Sequence, residues 1–264
     1  MLKIGDYKVS TVGNTGQMVF NGQSRLKQTY SMPQAGLTVS SDHDYFYFWA
    51  KQKGLKDITL IHVDAHSDMW KPDLPPIPDI SGMDAKSQKK ALWRYGTLLG
   101  CTGFLSPLID DGTIKRIIWL SFSEVKLHLK DHQLHEWIRE ANEKKDDEPI
   151  GDEGFYTMTF DTFLRRAPEF LGRTDPGKLV LGIDADRFVY RYYHAWRRLP
   201  GPRLWDGDVM TGELKKFQEC LQLIRARNPH PESFMCISSP HHTPQRVAPE
   251  IISRIVSMLE AAPS

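Results

Sequence analysis

The sequence predicts an α/β fold, a doubly wound, mostly parallel sheet with helices on both faces, in one domain over residues 1–264. Two observations carry this expectation. Short apolar runs (ITLIHV, RIIWLS, KLVLGI, SFMCIS) recur along the chain, and helically patterned segments separate them. Two of the runs end in acidic clusters, at the strands' carboxyl ends, where open parallel sheets bind ligands. A chain of 264 residues is long for one domain, yet single α/β units reach this size.

The elements follow in order. Residues 7–10 and 17–20 read as short strands around the turn-forming GNTG. After residues 36–39, the segment DHDYFYFWAKQKG reads as a helix entered from residues 40–42 and closed by Gly54. A strand over 58–63 comes next, then a polar, proline-rich loop (KPDLPPIPDISG) and a helix over 86–99. Residues 116–121 make a strand, 131–145 a charged surface helix and 145–153 a surface loop. FYTMTF and KLVLGI supply further strands, residues 212–227 an amphipathic helix, SFMCIS a last strand and residues 246–259 a closing helix.

Bulk composition narrows the class of protein. Hydrophobic residues at 40% and charged residues at 25% argue against disorder. A formal charge of +1 gives no basic footprint for nucleic acid or a membrane surface. The three cysteines lack CxxC spacing, which disfavours a disulfide framework or a cysteine-zinc site. The start, MLKIGDYKVS, lacks the apolar stretch of a signal peptide, and no segment approaches the ~20 apolar residues of a membrane span. A cytoplasmic location is expected, without nucleic-acid or membrane partners.

The chemistry centres on HVDAHSDMW, residues 62–70. Side chains two apart on an extended chain point the same way, so Asp64, His66 and Asp68 converge at the end of the preceding strand. Carboxylates alone suit acid–base work, whereas a mixed Asp/His/Asp set is a ligand set for a divalent metal such as manganese or zinc. GIDADRF repeats the arrangement with Asp184 and Asp186. Five ligands at two strand ends exceed one zinc site and suggest two metals. A single aspartate at a strand end more often caps a helix or makes a turn, and LWDGDV, with Asp206 and Asp208, is read as such a turn. An EF-hand pattern and a glycine-rich phosphate loop are both absent.

These motifs resemble a family. DAHSD is similar to the first metal motif of the ureohydrolase superfamily, the arginases and agmatinases, which shares a fold with histone deacetylases, and GIDAD is similar to the second. SSDHDYFYFW resembles the segment that supplies the first histidine ligand, which makes His43 a sixth ligand. The order of these motifs, with IIWLS between them and SPHHTP late, is most similar to peptide arginases. Those are maturation enzymes that convert arginine side chains of a ribosomally made precursor peptide to ornithine.

The resemblance implies an arginase/deacetylase-like fold and a two-manganese centre. His43, Asp64, Asp68 and Asp184 would hold one Mn2+, and Asp64, His66, Asp184 and Asp186 the other. The ions would acidify a shared water that attacks the guanidinium carbon, releasing urea and an amine. Asp68 would orient or deprotonate that water. His242, or its neighbour His241, follows SFMCIS at another strand end and would protonate the leaving nitrogen. Glu124, Asp42 and Asp44 are candidates to pair with the guanidinium.

Departures from ordinary arginases point to the substrate. Met69, Trp70, Lys71, Pro72 and Asp73 stand where the resemblance calls for an Asn/Ser loop clamping a free amino acid. Arg187, Phe188 and Val189 replace the Asp-Pro expected after the second motif. A site without the clamp suits a side chain embedded in a peptide. RFVYRYYHAWRRL has two readings, an open groove or core packing, and helix-spaced aromatics are more often core; in a groove, Arg191, Arg197 and Arg198 would suit an acidic leader. The expected partner is thus an arginine-containing precursor peptide, and the superfamily's habit points to a homo-oligomer. Competing readings are a small-molecule ureohydrolase such as an agmatinase, a zinc-dependent amide deacetylase, and a non-catalytic protein with a retained metal site.

Overall fold

The computed structural model describes residues 2–4, 7–12, 17–20, 29–32, 37–40, 45–66, 68–69, 76–99, 103–121, 154–188, 207–236 and 248–261. A three-stranded antiparallel sheet holds β1 (Leu2–Ile4), β2 (Tyr7–Val12) and β3 (Gln17–Phe20) in that order. The main sheet has seven strands: β4 (Thr29–Met32), β5 (Leu37–Ser40), β6 (Ile58–Val63), β7 (Ile114–Leu120), β8 (Gly154–Met158), β9 (Leu179–Asp184) and β10 (Glu232–Cys236). Their spatial order is β4-β5-β10-β9-β6-β7-β8. β4 pairs antiparallel with β5, and the other neighbours all run parallel. The expected doubly wound, mostly parallel sheet is the one observed. β6 and β9, the strands that carry the acidic motifs, are neighbours at its centre.

Helices cover both faces, which is why β6 and β9 are buried along their whole length and read as unbroken apolar runs. On one face lie α1 (Tyr45–Gln52), α2 (Ala85–Leu99) and α3 (Ser106–Asp110). Their Phe46, Trp49, Leu92 and Leu108 pack with Leu60, Trp119, Val180 and Phe234 of the sheet. On the other lie α4 (Phe160–Gly172), α5 (Gly207–Arg227) and α6 (Ala248–Glu260). Phe163, Phe217 and Ile255 there meet Ile61, Val63, Leu181 and Ile183. Each such buried side chain contributes about 1.5–3 kcal/mol of transfer free energy.

Local chemistry sets the helix ends. Gly54, at φ +64°, closes α1 as expected, with Leu55 N–H donating to the Ala50 carbonyl at 3.1 Å. Asp84 starts α2 by accepting from Lys86 N–H at 2.9 Å and Ser87 N–H at 3.0 Å. FYTMTF divides where the sequence reading keeps it whole: β8 ends at Met158 and Phe160 opens α4. Thr159 makes the break, because its hydroxyl accepts from Thr162 N–H at 3.1 Å and caps the helix. Likewise α5 begins at Gly207, inside the segment expected to be a turn. The helix and loop expected over 131–153 fall outside the described residues.

Candidate metal centre

β6 runs directly into the first motif. Asp64 follows its last residue, and Trp119 of neighbouring β7 donates its indole N–H to the Asp64 carbonyl at 2.8 Å. The Asp64 carboxylate turns back onto the chain, accepting His66 N–H at 2.6 Å through Oδ1. Asp68 takes φ +54°, a conformation that aspartate tolerates better than most side chains. The turn into α3 fixes this loop: Leu105 N–H donates to the Asp68 carbonyl at 3.2 Å, and Ser106 Oγ to the Met69 carbonyl at 2.9 Å.

The second motif arrives at the end of β9. Asp184 is the strand's last residue, and a 3-10 turn over Ala185–Phe188 lifts Asp186 beyond it. Asp186 N–H donates to Asp184 Oδ1 at 2.9 Å, so the two carboxylates share one local frame. The motifs are joined directly, because Ala65 N–H donates to Asp186 Oδ1 at 3.3 Å. Arg187 holds the turn from beneath: its guanidinium donates to the carbonyls of Leu120 at 2.9 Å and Ser121 at 3.1 Å. It also pairs with Glu213 at 3.0 Å and lies over the Phe160 ring at 4.3 Å.

Two ligand groups result. His62, Asp64 and Asp68 place one donor atom each within 4.8 Å of one another, and Asp64, His66 and Asp186 do the same. Asp64 belongs to both. His66 Nδ1 lies 2.9 Å from Asp186 Oδ2 and 3.6 Å from Asp64 Oδ1. Asp64, Asp68, Asp184 and Asp186 are all at most 3% exposed. Burial, and then the charges of Asp68, Asp186 and Asp184, push the Asp64 carboxyl well above the usual carboxylate range. Burial opposes a charge on His66, but its hydrogen bonds to Asp186 and Asp64 prevail and raise the ring to about 12. Four carboxylates gathered out of water repel one another and call for bound cations. Aspartate oxygens and imidazole nitrogens are donors that manganese or zinc accepts. The residues therefore fit divalent metal ions.

Asp64 lies with Asp68 in one donor group and with His66 and Asp186 in the other. Asp184 is buried beside them but belongs to neither donor group. His43, His241, His242, Glu124, Asp42, Asp44, Arg191, Arg197 and Arg198 lie outside the described residues. Arg187 and Phe188, which open the segment read as either groove or core, are core residues at 1% and 3% exposure. A buried carbonyl pair and the Glu213 carboxylate draw the guanidinium inward, and Phe188 packs on Phe217 at 5.5 Å. His62 is the residue the sequence set omits. The alternation that groups Asp64, His66 and Asp68 extends back one more step to it, so the signal was present.

No family model matches the sequence, and no curated protein matches it. Solved structures are similar to it over 85% of the chain. One is a proclavaminate amidino hydrolase from Streptomyces clavuligerus, at 15% identity and a TM-score of 0.44, with 62% of that chain covered. Another is a hypothetical agmatinase from Burkholderia thailandensis, at 14% identity and a TM-score of 0.45, with 57% covered. A third is an arginase from Bacillus caldovelox, at 16% identity and a TM-score of 0.45, with 68% covered. The chain thus spans about six tenths of the length of the first two. No helix among the described residues is long and apolar enough to cross a membrane.

Proposed function

We propose that this chain is a metal-dependent hydrolase of the ureohydrolase kind, acting on the guanidinium group of arginine within a peptide and yielding ornithine and urea. One observation carries the metal chemistry: Asp64, itself buried, is shared by two donor groups at the carboxyl ends of adjacent parallel strands. A carboxylate common to two such groups would suit a pair of neighbouring ions. The ions are proposed to be manganese, held through Asp64, Asp68, His66 and Asp186, with Asp184 and His43 completing the set. When bound, such ions supply positive charge and lower the pKa of a coordinated water toward neutrality.

The side chains carry the remaining work. Water oxygen adds to the guanidinium carbon, the bond from that carbon to the chain nitrogen breaks, and the nitrogen takes up a proton. Asp68, held by the turn into α3, orients the water and accepts its proton. His242 is proposed as the proton donor to the leaving nitrogen. Sequence carries the peptide preference: residues 69–73 lack the clamp that would hold a free amino acid. The proposed partner is therefore an arginine-containing precursor peptide, the proposed location is cytoplasmic, and a homo-oligomer is the proposed assembly.

The test is mass spectrometry of arginine-containing peptides, free arginine and agmatine after incubation with manganese-loaded protein. Loss of CH2N2 from the peptides alone, with urea released, supports the proposal. Reaction of a free guanidine alone replaces it with a small-molecule ureohydrolase. Reaction of none of the three, with an acyl-lysine peptide deacylated instead, overturns guanidinium hydrolysis.

A further inference from the structure

His62 occupies an anomalous place in the core. It sits on β6 in register with Trp119 of β7 and Gly182 of β9, and Phe234 of β10 lies beyond Gly182. Imidazole is a costly occupant of such an apolar row unless its polar edge meets something. The ring is 4% exposed, and its Nε2 faces oxygen on several sides. The His66 carbonyl is 3.1 Å away, Asp68 Oδ2 3.6 Å and Asp64 Oδ2 3.7 Å.

Those separations match donors gathered around a single ion. With metal–ligand bonds of about 2.0–2.2 Å, neighbouring donors stand roughly 3–3.7 Å apart. The opposite edge of the ring has room because Gly182 lacks a side chain. A β-carbon there would stand 3.9 Å from His62 Nδ1, 3.3 Å from a Leu60 methyl and 3.6 Å from the Phe46 ring. A β-carbon at this position would therefore crowd Leu60 while only touching the imidazole.

We propose that His62 is a metal ligand that supplies the nitrogen of a first ion site, completed by Asp64 and Asp68 from the same seven-residue segment. This deepens the two-metal reading given above and rests on it. It also reassigns a role, because the nitrogen at that ion would otherwise come from His43. The competing role is structural, with the ring N–H simply holding the His66 carbonyl.

His62→Gln separates the two roles, since an amide can still donate to that carbonyl but is a poor metal ligand. Wild-type, His62→Gln and His43→Gln proteins are dialysed against manganese(II) and counted for metal. Nitrogen couplings to bound manganese are read by electron spin echo spectroscopy, and circular dichroism of the metal-free proteins checks folding. The expected result is two ions in the wild type, and in His62→Gln a loss of one nitrogen coupling with about a hundredfold weaker binding of one ion. Unchanged metal content and couplings in His62→Gln, with the loss appearing in His43→Gln, overturn the role of His62 and leave the two-metal reading intact. A wild type that binds no manganese overturns both.

Discussion

The indole N–H of Trp119 donates to the main-chain carbonyl of Asp64 at 2.8 Å, so the strand beside the metal motif fixes the residue that both donor groups share. Trp119 is 1% exposed, which leaves that carbonyl little recourse to water. Trp119→Phe keeps most of the packing but leaves a buried acceptor unmet, at about 1–3 kcal/mol. The expected outcome is a lower denaturation midpoint together with weaker manganese binding. Urea unfolding and isothermal titration calorimetry measure the two effects.

Sharing of Asp64 predicts an asymmetry among substitutions. Asp64→Ala should abolish binding of both ions, whereas Asp186→Ala should leave one. Elemental analysis after dialysis gives the counts directly. Asp184→Ala is expected to retain the fold and lose turnover, which circular dichroism and urea release would register. An active, metal-replete Asp184→Ala protein would remove Asp184 from the centre.

Among the described residues, two other than glycine carry a positive φ, Asp57 at 52° and Asp68 at 54°. Glycine relieves that conformation at a cost of about 1 kcal/mol or less in the unfolded chain. Asp57→Gly should leave metal content unchanged and shift thermal stability only slightly. Asp68→Gly should also fold, yet bind metal poorly, because the relieved backbone no longer carries a carboxylate. Calorimetric melting with and without manganese distinguishes the pair, as only the Asp57 variant should keep its full metal-dependent rise.

Arg187 is the buried brace under the second motif, tied to two carbonyls and to Glu213. Arg187→Ala removes the guanidinium from both carbonyls, leaves Glu213 with Lys216 as a partner at 3.7 Å, and opens a cavity beneath Asp186. A loss of about 3–5 kcal/mol is expected, the usual scale for breaking a buried pair from one side. Chemical denaturation of the metal-free protein checks it, since removing metal separates the brace from the ligands.

Burial pushes the Cys220 thiol up to about 12. Its reactive thiolate is therefore scarce in the folded protein at pH 8. Iodoacetamide should spare Cys220 in native protein and label it in denaturant, as peptide mapping would reveal. The sign for stability follows. The folded thiol holds its proton between the ordinary value of 9.0 and about 12, while the unfolded thiol loses it, so this contribution falls as pH rises above 9.

Much of this arrangement was legible because its signals are local. An apolar run followed by alternating Asp and His fixes both the strand and the direction of the ligands, and Gly54 announces the end of α1. Thr159 and Pro168 hid α4: the threonine extends a strand-like run, and proline inside a helix reads as a stop. What escaped at the site was His62, whose neighbours in ITLIHV are apolar and suggest core. The alternation reaching back from Asp64 marks it, and the row across the sheet, with Gly182 beside it, sets its surroundings. Arg187 escaped for the opposite reason, since a charge next to aromatics suggests surface until the carbonyls that receive it are known.

The two donor groups come into being at different moments in the life of the chain. His62, Asp64 and Asp68 lie within one short segment and emerge from the ribosome together, while Asp186 is still unsynthesised. The group containing Asp186 exists only after β9 has been made and has zipped against β6, a long-range step that folding reaches late. A nascent polypeptide thus carries all three donors of one group on a single segment well before it can bring together those of the second. Loading of the two ions should be sequential, with the second uptake marking the completion of the central strand pair.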